Sequence, residues 1–453
     1  MAEVNCIDQY IERHLDESLQ ELVHLCAQPS VSAQNWGLAE CANLVADLFH
    51  KRGFHVETWQ TGGAPAVFAE RNGKSNKTLI FYNHYDVQPA EPLELWESPP
   101  FEPTFRNDKL YARGVSDDKG HITSRLFALD ALLACESELP CNVKFLIEGE
   151  EEAGSNLLEN LVQTHKEKLS ADACIWEFGG VDHREVPMQT LGLRGICYVE
   201  LTVDTATQDI HSGIGGSILP NSAWRLIWAL STLKGPDELI KLPGFYDSVR
   251  PPSTRDRQLM AELPEIASEY KKRYGISSFL KGIKAGAELR IAEVFESTCT
   301  ICGLTSGYQG PGSKTVLPAH ASAKVDFRLV PDQTPEQVLK ALRSHLDDHG
   351  FQDVQITDLG SEQPARTDPD DPFIKLVMEA ANNIYEHPMQ IVPMSGGSGP
   401  NYAFVHHLHV PIASSGVGYP GAQSHAPNEN LRPDLYAKGA MHIAQILKAF
   451  GRG

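Results

Sequence analysis

Residues 78–82, Thr-Leu-Ile-Phe-Tyr, form an unbroken apolar run, and an imidazole at His84 and a carboxylate at Asp86 follow directly. A run with no polar alternation is what a strand buried on both faces needs, and such strands belong to parallel sheets covered by helices. The pattern recurs. Residues 55–60, 66–70, 143–149 and 173–178 also read as strands, while 7–27, 37–52, 120–135 and 155–168 carry helical periodicity. This alternation predicts an α/β fold, a largely parallel mixed sheet flanked by helices.

The style changes near residue 190. Residues 192–205 and 321–331 alternate as half-exposed strands, 219–234 reads as a helix, and 353–359 supplies another strand. Thr334-Pro335-Glu336-Gln337 spells a capping box with proline at the first helical position. Two β-α-β-like halves with a polar insertion at 235–290 predict a small α+β domain. After the Pro- and Asp-rich loop 360–372, helix 373–386, the apolar stretch 410–414 and helix 433–450 return to the first style. The predicted plan is one α/β domain, residues 1–189 and 364–453, interrupted by an inserted α+β domain at 190–363. A chain of 453 residues is long for a single core, in keeping with two.

Charge narrows the partners. With 39 Lys and Arg against 59 Asp and Glu, the net charge of −20 repels phosphate backbones and anionic lipid surfaces, so neither nucleic acid nor membrane is an expected partner. No stretch reaches the roughly 18 apolar residues of a spanning helix. The acidic, helical start lacks the basic and apolar regions of a secretory signal, and a cytoplasmic protein is expected. Nine cysteines, an odd number without regular spacing, are expected to be reduced. Cys299-Thr-Ile-Cys302 has the spacing of a redox motif or of half a zinc site, but no second pair completes a tetrahedron, and both read as ordinary strand cysteines.

Residues with chemical potential sit at strand ends. His84 and Asp86, two apart, point to one face at the carboxyl end of a strand, where α/β sheets place ligands. A histidine satisfied in place is the plain alternative to a metal ligand. Asp117 and Asp118 precede a helix, where an aspartate can simply cap it. Glu148, Glu150, Glu151 and Glu152 follow an apolar strand, and a solvated acidic loop is the competing reading. Glu177 closes another strand, and His425 lies in a loop before the last helix. Together these edges carry charge that repels itself at buried positions, and cations relieve the repulsion. Asp117, Glu152 and Glu177 with one hydroxide offset two dications. Imidazole plus carboxylate suits zinc, manganese or cobalt better than calcium. Two such ions about 3.5–4 Å apart activate water for hydrolysis.

The ordered motifs H-x-D (84–86), D-D-K-G (117–120), G-x-E-E-x-G-S (149–155), an acid at 177 and a histidine at 425 resemble those of the co-catalytic di-metal metallopeptidases. That superfamily includes carnosine dipeptidase, glutamate carboxypeptidase, aminoacylase and succinyl-diaminopimelate desuccinylase, and the motifs look closest to the cytosolic dipeptidase branch. The resemblance implies that His84 and Glu177 bind one metal, Glu152 and His425 the other, and Asp117 both, with Asp86 orienting His84. It makes Glu151 the general base, although the three consecutive glutamates leave a one-residue ambiguity between base and ligand. It implies a cis peptide between Asp117 and Asp118. It further implies that the inserted domain is a lid through which two subunits pair, that His211 reaches the partner's site to stabilise an oxyanion, and that Arg328, Gly397 and Ser398 hold the substrate carboxylate. Read locally, His211 is an ordinary loop histidine and Arg328 an ion-paired strand residue. Loop 394–402 lacks both the G-K-[ST] ending of a phosphate loop and the last glycine of a nucleophile elbow. The expected activity is hydrolysis of dipeptides or short peptides with two zinc or manganese ions. Deacylation of N-acyl amino acids or carboxypeptidase action at the same site, and a metal-free interaction protein, are the alternatives.

Overall fold

A computed structural model of the chain describes residues 6–452. In chain order, the elements used below are strands β1 (His55–Trp59), β2 (Ala66–Arg71), β3 (Ser75–His84), β4 (Cys141–Glu148), β5 (Ala173–Trp176), β6 (Gly195–Asp204), β7 (Thr298–Ser306), β8 (His320–Leu329), β9 (Gln355–Glu362) and β10 (Ile412–Ser414). The helices are α1 (Lys119–Glu136), α2 (Ser222–Leu233), α3 (Pro335–Asp348) and α4 (Pro433–Arg452). The chain divides into two compact units: Met1–Leu191, Thr367–Val392 and Ala403–Gly453 make one, and Gly192–Arg366 with Pro393–Tyr402 the other. Segment 393–402 thus goes with the second unit, whereas the sequence pattern had placed it with the first.

The first unit is built on a six-stranded sheet ordered β1-β2-β4-β3-β5-β10. Strands β4, β3, β5 and β10 run parallel, and β1 and β2 add an antiparallel edge. This is the mixed, mostly parallel α/β sheet expected. The apolar run of β3 is central: its last six residues, Leu79 to His84, are all buried. Because β3 and β4 pair in parallel with His84 opposite Glu148, their polar ends arrive at the same sheet edge. Helix α1 is buried on almost every side from Lys119 to Leu129. Its two interior cations are held mainly by carbonyl oxygens. Lys119 Nζ donates to Leu25 O at 3.2 Å and Gln28 O at 2.7 Å. Arg125 donates to Tyr82 O at 2.8 Å, to Glu177 O at 3.1 Å and to Trp176 O.

In the second unit, β7-β8-β6-β9 form a wholly antiparallel sheet. Strand β6 alternates between buried and half-buried residues up to Asp204, which is exposed. Cys197, Val199, Leu201 and Val203 share a core with Leu226 of α2 and Leu342 of α3, and the opposite face stays polar. The polar insertion holds three short helices, Thr254–Glu262, Ala267–Tyr274 and Gly286–Phe295.

Three expectations need correction. The helix predicted over 7–27 is two, Cys6–Arg13 and Leu15–Cys26, and the acidic Glu3 before it lies outside the described residues. The cap of α3 is one-sided: Thr334 Oγ1 accepts from Gln337 N at 3.3 Å, but no return bond from the Gln337 side chain completes a box. The cysteines are not all reduced, since Cys6 and Cys135 form a disulfide across a sequence separation of 129 residues. No local spacing announces such a bond, because the fold alone brings the end of α1 to the first described helix. Cys299 is buried and Cys302 exposed on β7, so that pair forms neither a disulfide nor a metal site. No helix among the described residues is long and apolar enough to cross a membrane.

Candidate metal centre

His84 ends β3 with its ring 1% exposed. Its Nδ1 lies 3.1 Å from the carbonyl oxygen of Asp86 and 3.4 Å from Asp86 Oδ1, so the backbone carbonyl is the nearer acceptor. That proton leaves Nε2 turned toward Asp117 Oδ1 at 3.1 Å. The Asp86 carboxylate has a second task. Its two oxygens accept the N–H groups of Glu151 at 3.2 Å and Glu152 at 3.0 Å, which fixes the glutamate loop under the site.

Asp117 faces two imidazoles at once. Its Oδ1 meets His84, and its Oδ2 lies 3.0 Å from His425 Nε2, which is also 3.2 Å from Glu152 Oε2. His84, Asp117 and Glu152 each offer a ligand atom within 4.8 Å of the others. Glu151 Oε2 lies 4.0 Å from His84 Nε2. Glu150 turns aside, its carboxylate filling the space a side chain on Gly63 would need. Among the three consecutive glutamates, only Glu151 and Glu152 therefore face the imidazoles. Glu177 follows β5 and is buried, and its Oε2 has no hydrogen-bond partner among the described residues.

The electrostatics express crowded like charge. Burial, and then Glu151, push Glu177 well above the usual carboxylate range. Burial likewise pushes Glu151 up to about 8, with Glu152 and Asp117 adding to it against the pull of His84. Hydrogen bonds to Asp117 and Glu152 raise His425 to about 10. Against its burial, bonds to Asp117 and Asp86 hold His84 well above the ordinary histidine value. The carboxylates around both imidazoles thus favour positive charge at this place. The donor set of imidazole and carboxylate, the orphaned oxygen of Glu177 and the two-sided approach to Asp117 fit divalent metal in the same place.

Four supports were not read from the sequence. Asp118 makes no capping bond to α1; its Oδ2 accepts from His84 N at 3.2 Å and Asn83 Nδ2 at 2.5 Å, and its Oδ1 lies 2.9 Å from His121 Nδ1. The reading of an aspartate as helix cap is therefore wrong for Asp118. Glu429 is buried and accepts from Arg113 Nη1 at 2.8 Å, Gly114 N at 2.9 Å, Ser116 N at 2.9 Å and Asp117 N at 3.0 Å. It moulds the loop that presents Asp117. Gln88 Nε2 donates to Glu152 Oε2 at 2.8 Å. Arg125 ties together the ends of β3 and β5, from which His84 and Glu177 project. The peptide between Asp117 and Asp118 is cis, as the resemblance implied.

The remaining expected residues lie in the second unit. His211 is exposed, accepts from Gly213 N at 3.0 Å and sits 3.3 Å from Thr315 Oγ1. Arg328 Nε donates to Asp326 Oδ2 at 3.2 Å and its Nη1 to Ser398 Oγ at 2.8 Å. Gly397 is exposed, and its N–H donates to Ser395 Oγ at 3.3 Å.

Residues 80–449 match the model of peptidase family M20/M25/M40. The chain belongs to that family. An M20 family metallo-carboxypeptidase, Sso-CP2 from Sulfolobus solfataricus, superposes with a TM-score of 0.91 at 38% identity, covering 96% of this chain and 100% of that one. A Beta-Ala-His dipeptidase of Rattus norvegicus is 32% identical over 75% of this chain and 72% of its own length. The Cys-Gly metallodipeptidase dug1 of Schizosaccharomyces pombe is 28% identical over 95% of both. Set among M20 relatives named as metallopeptidases, the chain is a metal-dependent peptidase.

Proposed function

We propose that the chain is a dipeptidase that holds two divalent cations, zinc or manganese, and hydrolyses the amide bond of dipeptides and short peptides. The carrying observation is the division of Asp117 between two imidazoles, with Oδ1 on His84 and Oδ2 on His425. In this reading His84 and Glu177 would hold one cation, Glu152 and His425 the other, and Asp117 would serve both. When bound, the cations supply Lewis acidity that activates water and polarises the scissile carbonyl. Glu151, held by its N–H on Asp86, takes the proton of the attacking water and delivers it to the leaving amine.

The second unit is assigned the role of lid and dimerisation domain. Support for a homodimer is apolar surface: Trp224 and Trp228 on α2 are 55% and 53% exposed, and Ile301 and Leu304 on edge strand β7 are 52% and 54% exposed. Within such a dimer His211 serves the partner's oxyanion, and Arg328 with Gly397 and Ser398 takes the substrate carboxylate. We place the enzyme in the cytoplasm, with no nucleic-acid partner.

Glu151→Gln is the test. It removes the proton carrier and keeps the shape, so turnover falls by at least about a hundredfold while metal content per chain, read by elemental analysis, stays at two. Retained turnover would sink the role of Glu151, and fewer than two metals in the wild type would sink the pair. Kinship with a metallo-carboxypeptidase favours one second reading, release of the C-terminal residue from longer chains. Rates on a series from dipeptide to pentapeptide, with N-acetyl amino acids beside them, separate the readings.

A further inference from the structure

The polar face of the sheet in the second unit carries a row that bears on side-chain choice. Across β7, β8, β6 and β9, Thr298, Arg328, Ile196 and Glu362 stand directly opposite one another. Residues opposite across antiparallel strands share a face, so Arg328 and Glu362 project the same way with Ile196 between them. Two strand spacings, about 9.5 Å, part their backbones. Arg328 spends Nε on Asp326 and Nη1 on Ser398, which leaves Nη2 without a partner among the described residues. Glu362 is half-buried and makes no hydrogen bond or ion pair with its side chain among the described residues. Burial raises its carboxyl to about 7, and Arg328 is the charge that opposes the rise.

We propose that Glu362 is a specificity-determining residue, selecting a cationic side chain on the substrate residue whose carboxylate Arg328 holds. The inference rests on the carboxylate role given to Arg328 above. A C-terminal lysine offers the complement of the whole row. Its carboxylate meets the guanidinium, its aliphatic stem lies on Ile196, and its ammonium reaches Glu362. An arginine fits in the same manner. A norleucine keeps the stem and leaves the carboxylate of Glu362 unanswered, and a glutamate sets like charges together.

The experiment compares Ala-Lys with Ala-norleucine on the metal-loaded full chain. It adds the binding of free lysine and free norleucine by calorimetry, which does not depend on turnover. In the wild type both kcat/KM and binding favour lysine by about tenfold, the size of one hydrogen bond to a charged group. In Glu362→Gln the lysine-to-norleucine ratio falls to about one in both readouts. In Glu362→Lys it inverts, and Ala-Glu overtakes Ala-Lys. A wild-type ratio near one, or a ratio unmoved in Glu362→Gln, overturns the proposal. Arg328→Met distinguishes the two failures. If that variant weakens every dipeptide while the ratio stays indifferent to Glu362, only the selectivity is wrong. If it weakens none, the carboxylate reading has failed beneath it, and the proposal with it.

Discussion

Single buried charges decide whether this site exists. Glu429 answers one guanidinium and three backbone N–H groups, two of them those of Ser116 and of Asp117 itself. Glu429→Gln keeps the volume but leaves Arg113 buried beside a neutral amide, so the loss in unfolding free energy is expected to be about 3–5 kcal/mol. Denaturant unfolding measures it, and metal content should fall with it. Unchanged metal content would show that Asp117 holds its place unaided. His442 makes a pH argument. It is buried between Ser415 Oγ at 2.8 Å and Val377 O at 2.9 Å, and burial lowers it to about 4. Between pH 6.5 and about 4 the unfolded chain takes up a proton there that the folded chain refuses. Stability therefore drops as pH falls through that window, by up to about 3 kcal/mol, and is unaffected by this group above it. His442→Gln should flatten that part of the acid limb. The grouped residues legible in the sequence were His84 at its strand end and the acids and imidazole of loops beside such ends, Asp117, Glu152 and His425. Glu429 and Arg125 were not, because a buried charge matched across some 50 to 316 positions leaves no local pattern.

Among the elements, strands were easier to read than the ends of helices. The run at 78–82 lies in β3, and the apolar core of the second run, Phe145 to Ile147, lies in the fully buried half of β4, where burial on both faces demands apolar sequence. Helix α1 gave a weaker signal, since a helix buried all round has no polar face to set its phase. Its seat on the loop depends on Gly120, where a methyl group would run into the carbonyl oxygen of Val115 and lie 2.8 Å from Leu431 Cδ1. Gly120→Ala should therefore destabilise the protein by about 1–3 kcal/mol and lower activity more than stability alone predicts. Thermal unfolding paired with kcat at a temperature where both proteins are folded will show it. A fully active, equally stable variant would mean that α1 can shift without moving Asp117.

For the molecule as a whole, the disulfide and the order of segments matter most. Cys6–Cys135 closes a large loop, and reduction is expected to lower stability by up to about 4 kcal/mol. Thiol titration of the denatured, unreduced protein should count seven free groups, the remainder of nine. Nine would show that the bond does not persist in the purified protein, as a reducing compartment would favour. The first unit, meanwhile, is stitched from three stretches of chain, and the second is threaded between them. His425 and Glu429 belong to the last stretch, more than 300 residues after Asp117. A ribosome must therefore release the chain through residue 429 before these side chains can meet. Until then the nascent chain carries Glu151, Glu152 and Asp117 as loose acids, and no truncated product can be a premature protease.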